Sequence, residues 1–106
     1  MPFLDLNQSP LRELFPGFDG RVVHSEFMTF VHWRIRAGAQ LPVHHHVHEQ
    51  VVNMLEGVFE LTIDGETRRL EAGHVAVIPP NAVHSGQAIT DCHIIDAFYP
   101  IRQDYR

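Results

Sequence analysis

Four of the chain's nine histidines fall within five residues, in the run VHHHVHEQVVN from Val43 to Asn53. Neutral imidazoles hold first-row transition ions, and a pair on one face with a further ligand nearby is enough to begin a site. Side chains alternate along an extended segment. His44 and His46 therefore share a face, His45 points away, and His48 and Gln50 keep the parity of the pair while Glu49 does not. The competing reading is a solvated, histidine-rich turn. A second stretch, GHVAVIPPNAVHSG, adds His84 after a Pro-Pro turn and in apolar company. A buried histidine needs a partner, so His84 is either a packed core histidine or a further ligand. The two stretches together favour a metal centre. Asp96 is the other candidate. It shares the parity of Cys92, Ile94 and Phe98, and an apolar setting raises a carboxyl pKa toward the range useful for acid–base work. A buried acid satisfied by backbone donors is the alternative.

These residues need a scaffold, and the pattern around them is that of strands. In FMTFVHWRIR (27–36), Val31, Trp33 and Ile35 alternate with His32, Arg34 and Arg36, which predicts a strand with one apolar face. Further strands are expected at Gln50–Leu55, Val58–Ile63, Arg68–Glu71, a short run at HVAVI, and Asp91–Tyr99. Asp64–Gly65 is a two-residue hairpin signal. Residues 1–20 are expected to be irregular, with a short helix in SPLREL from Ser9 as N-cap and Pro10 in the first turn. Arg21–Glu26 is expected as an N-terminal strand. Short strands at regular spacing, separated by turn signals, predict an all-β sandwich or barrel. The 106 residues suit a single domain, 1–106.

Gly38, His44, His46, Gln50 and Gly57 stand at spacings that resemble the first motif of the cupin superfamily, with Gln50 where glutamate is usual. Gly73, Pro79 and His84 resemble the second, with Asn81 in place of the usual glycine and Ala88 in place of asparagine. The resemblance covers about residues 27–99. It implies a double-stranded β-helix, the small jelly-roll barrel of RmlC-like proteins. It also implies that His44, His46, Gln50 and His84 converge on one divalent transition ion (Zn, Ni, Mn or Fe). HxHxHEQ, together with an ending in which Asp96, Phe98, Pro100, Arg102 and Asp104 match in order, is similar to the KdgF-like cupins of pectin degradation. That resemblance implies ring opening of 4,5-unsaturated uronates, with Asp96 moving a proton and Arg102 holding the substrate carboxylate or orienting Asp96. An amide ligand at Gln50 leaves the ion's charge undiminished, which suits a small anionic sugar. A cupin dioxygenase and a non-enzymatic sugar- or metal-binding module are the alternatives that the same residues allow.

The formal charge of −5 makes nucleic acid an unsuitable partner. All eight cations are arginine, so lysine Schiff-base chemistry is excluded. No apolar run is long enough for a membrane span. The first residues do not resemble a secretory signal, so a cytoplasmic location is expected. Cys92 is read as a buried structural thiol. Exposed strand edges on so small a barrel suggest a homodimer, with Arg21–Glu26 available for exchange.

Overall fold

The computed structural model describes residues 2–106. Ten strands form two antiparallel sheets: β1 Arg12–Phe15, β2 Phe18–His24, β3 Thr29–Ile35, β4 Gln40–His44, β5 Glu49–Glu56, β6 Phe59–Ile63, β7 Glu66–Leu70, β8 Val75–Ile78, β9 His84–Ala88 and β10 Cys92–Tyr99. The larger sheet runs β1-β2-β3-β10-β5-β8 and the smaller β4-β9-β6-β7. Non-sequential neighbours mean that the chain crosses repeatedly between sheets. The result is a jelly roll: all-β, as the alternation and turns predict, and the barrel that the cupin resemblance implies.

Alternation does the sorting of faces. In β3, Thr29, Val31, Trp33 and Ile35 are buried while Phe30, His32 and Arg34 are not; in β10 the buried set is Cys92, Ile94, Asp96 and Phe98. The smaller sheet answers with Phe59, Leu61 and Ala88, and edge-on aromatic contacts of Phe18 with Trp33 and Phe59 fill the space between. Asp64 and Gly65, at φ +48° and +83°, make the two-residue hairpin between β6 and β7 that this dipeptide predicts.

The amino-terminal helix expected in SPLREL does not form. A 3-10 turn occupies Leu6–Gln8, and Arg12–Phe15 pairs with β2 as a strand. A six-residue helix is too short to stand on its own propensity. Extension instead lets Leu14 and Phe15 pack on the core. Of the segment expected as an exchangeable strand, Arg21–His24 lies in β2 and pairs with β3, while β1 pairs only with Phe18–Gly20 of that strand. No helix is long and apolar enough to cross a membrane among the described residues.

Candidate metal centre

Three histidines meet at one end of the barrel. His44 ends β4 and is the cross-strand partner of His84, which opens β9. Their rings lie 4.2 Å apart, centre to centre. His46 does not lie on a strand. It sits in the connection from β4 to β5, so strand parity is not what turns it inward, and its ring is 5.0 Å from that of His84. One nitrogen from each of the three lies within 4.8 Å of the others. Gln50, the second residue of β5, comes from the opposite sheet and is buried. Its Oε1 is 3.2 Å from His46 Nε2. His45 is exposed and outside the cluster, and the His48 ring lies tilted beside that of His46, 5.4 Å away.

The tautomers follow from the backbone. Nδ1 of His44 is 2.7 Å from the Pro42 carbonyl, Nδ1 of His46 is 3.0 Å from the His48 carbonyl, and Nδ1 of His84 is 2.9 Å from the Ala82 carbonyl. A carbonyl only accepts, so in each ring Nδ1 carries the hydrogen and Nε2 keeps its lone pair. Each of the three rings is thus left with one nitrogen lone pair free. His84 Nε2 is fully buried and has no protein partner, an arrangement that costs stability unless a cation takes the lone pair. His46 Nε2 and Gln50 Oε1 are both acceptors when the amide is placed this way, and two acceptors 3.2 Å apart are the mates expected around an ion bound at about 2.1 Å. The donor set therefore fits a first-row divalent ion. Burial, with Arg102 and the neighbouring histidines, holds His46 down to about 4, and burial lowers His84 too. Both rings stay neutral, as ligands must be.

The cavity at this end encloses about 470 Å³ of unfilled space, its open mouth included, and is lined by His44, Gln50, His84, Trp33, Asp96 and Arg102 among others. Asp96 projects into it from the middle of β10. Burial pushes its carboxyl up to about 6, against the opposing pull of Trp33, Gln50 and Arg102. Trp33 Nε1 donates to Oδ2 at 2.9 Å, while Oδ1 is buried with no partner that meets hydrogen-bond geometry. Asp96 is thus not the acid satisfied by backbone donors that sequence alone allowed.

Arg102 is buried rather than solvated. Its Nε and Nη2 clamp Asp104 at 3.1 and 2.6 Å, its guanidinium lies over the rings of Phe98 and Tyr105, and its backbone N–H donates to the buried Thr29 hydroxyl. All six residues singled out in the sequence, His44, His46, Gln50, His84, Asp96 and Arg102, are gathered at this one end. Sequence reasoning missed the Trp33–Asp96 bond and the buried Tyr105. Trp33 and Asp96 both have inward parity, but the register that brings β3 beside β10 is not written in either strand.

Residues 31–98 match the Cupin domain model. The chain belongs to the cupin family. This cupin is 28% identical to the pectin degradation protein KdgF of Dickeya dadantii (strain 3937), over 97% of the chain and 96% of that protein. Among solved structures it is similar to an RmlC-like cupin from Shewanella frigidimarina NCIMB 400 (28% identity, TM-score 0.94, 100% of this chain and 96% of that one). It is also similar to KdgF from Halomonas sp. (28%, TM-score 0.92, 100% and 99%). A salicylate 1,2-dioxygenase from Pseudoaminobacter salicylatoxidans shares the fold (23%, TM-score 0.77, 81% of this chain and 26% of that one).

Proposed function

We propose that this cupin opens the ring of 4,5-unsaturated monouronates, the sugars that lyases release from pectin or alginate, and that Asp96 moves the proton. The observation that carries the reading is the Asp96 carboxyl, buried at the ion site with one oxygen free. Likeness to KdgF over nearly the whole chain supports the substrate class.

The substrate is a cyclic hemiacetal that contains an enol ether. The hydroxyl at C1 gives up its proton, the bond from C1 to the ring oxygen breaks, and C1 becomes an aldehyde. The electron pair left on the ring oxygen is an enolate. Protonation at C4 turns it into a ketone at C5. No atom is gained or lost, and no oxidant is needed. Asp96 takes the first proton and returns one to C4; a carboxyl with a pKa of about 6 does both near neutrality. A bound divalent ion (Zn, Ni, Mn or Fe), held by His44, His46, His84 and Gln50, supplies polarisation of substrate oxygens. Arg102 offers its remaining guanidinium donors to the substrate carboxylate, and Asp104 fixes that guanidinium in place. Phe98 and Trp33 give the cavity apolar walls.

The test is to mix metal-loaded protein with a purified unsaturated uronate and follow the loss of its enol-ether absorbance. Acceleration over the spontaneous reaction is expected. Binding without acceleration would leave a sugar-binding module in its place, and oxygen uptake with candidate aromatic or sugar substrates would leave a dioxygenase.

A further inference from the structure

Trp33 is the only tryptophan of the chain, and its indole has one polar atom, Nε1, which donates and never accepts. That donor meets Asp96 Oδ2 at 2.9 Å. The ring is fixed from several directions. Phe18 meets it edge-on at 5.7 Å, Tyr105 edge-on at 6.5 Å, and Phe15 lies tilted at 6.3 Å. Its cross-strand partner in β2 is Gly20, and a Cβ there would stand 3.0 Å from the six-membered part of the indole. The missing side chain is the space that the ring occupies.

We propose that Trp33 is a positioning residue for Asp96: the indole N–H takes Oδ2 and leaves Oδ1 as the one carboxyl oxygen able to carry a proton into the cavity. The consequence rests on hydrogen-bond arithmetic. An indole N–H cannot accept, so an oxygen that receives it is a poor place for a carboxylic proton. The proton of neutral Asp96 is therefore left to Oδ1, the oxygen that the indole does not take. The same bond stops the carboxyl from rotating about its last torsion, so proton donor and proton acceptor occupy one place through the reaction. A histidine or arginine in this position would supply charge or a second titration; indole supplies direction alone. This deepens the uronate reading and rests on it for the catalytic consequence, but the hydrogen bond is testable without turnover.

Because the tryptophan is unique, the indole N–H gives a single resonance in a ¹⁵N–¹H spectrum. In metal-loaded wild type this resonance is expected downfield and slow to exchange with D₂O, and in Asp96→Ala it should move upfield. An identical shift in both proteins, or free exchange in the wild type, overturns the proposal. The kinetic arm replaces Trp33 by benzothienylalanine, which keeps the bicycle and removes only the N–H; Trp33→Phe is the coarser companion. We expect kcat to fall by at least tenfold with KM within threefold of wild type. A wild-type kcat in the benzothienylalanine protein also overturns the proposal. A wild type that never turns over removes the uronate reading instead, and the resonance then decides alone whether Trp33 holds Asp96.

Discussion

Gln50 and Asp96 are a pair, and glutamine is the residue type that the pair requires. The Gln50 amide lies against His46 through Oε1 and also pulls the Asp96 pKa down, so it links a proposed ion ligand to the proposed acid–base group. A glutamate at this position would set a second carboxylate against a buried one, and like charges so close raise a pKa further. Gln50→Glu should therefore bind the ion more tightly but open the uronate at least tenfold more slowly at neutral pH; metal titration and initial rates measure both, and unchanged turnover would remove the pairing. Asp96→Asn should lower kcat by roughly 10² or more. The same substitution should stabilise the metal-free protein. The folded carboxyl keeps its proton until about pH 6, whereas the unfolded one loses it near 3.8, so wild-type stability falls as pH rises through that window and stays low above it. The variant escapes this loss, by about 3 kcal/mol at most above pH 6 and by nothing below pH 4. His46, held down to about 4, gains stability with rising pH instead, but it is common to both proteins. Denaturant unfolding of chelator-treated samples at pH 4 and pH 8 checks the difference, and equal stabilities at pH 8 would contradict the buried charge.

At the scale of elements, the strands with clean alternation were legible because each carries its apolar face in its own residues. FMTFVHWRIR and DCHIIDAFY are strands with the predicted faces, β3 and β10. QLPVH and HSGQA were not read as strands, although they are β4 and β9 and carry His44 and His84. Pro42 and Gly86 blunt the local signal. Their pairing is decided across the sheet, where Phe59 of β6 fills the place of the side chain that Gly86 lacks. The candidate histidines could be singled out from spacing, but the ladder that joins His44 to His84 could not. Turns were legible where glycine is forced. Gly57, after β5, has φ +87°, and a Cβ there would run into the Asp91 carbonyl. Gly57→Ala should cost about 2 kcal/mol or more, since it combines left-handed backbone strain with a backbone clash. Thermal unfolding of the variant measures it, and a loss under about 0.5 kcal/mol would show that the β5–β6 turn shifts to make room.

For the molecule as a whole, the ion would act as a clasp. His44 and His84 belong to the four-stranded sheet, Gln50 to the six-stranded one, and His46 to the connection between them. An ion bound by all four would join the two layers at the cavity. It also takes the buried lone pair of His84 Nε2, which the metal-free protein leaves unsatisfied. Stabilisation by a ligand that binds only the folded state is about 2.7 kcal/mol when its free concentration is a hundred times Kd. In a domain of about 100 residues each kcal/mol moves Tm by about 4–8 °C, so loading should raise Tm by roughly ten degrees or more. Chelation should reverse the rise. His84→Ala should remove most of the metal-dependent part while costing the metal-free protein far less, because it deletes an unsatisfied acceptor together with the ring that carries it. Scanning calorimetry of wild type and His84→Ala, each with excess metal and with chelator, separates these terms. A wild-type Tm that ignores both metal and chelator would mean that the three imidazoles do not hold an ion in solution, and the chemistry assigned to this end of the barrel would lose its electrophile.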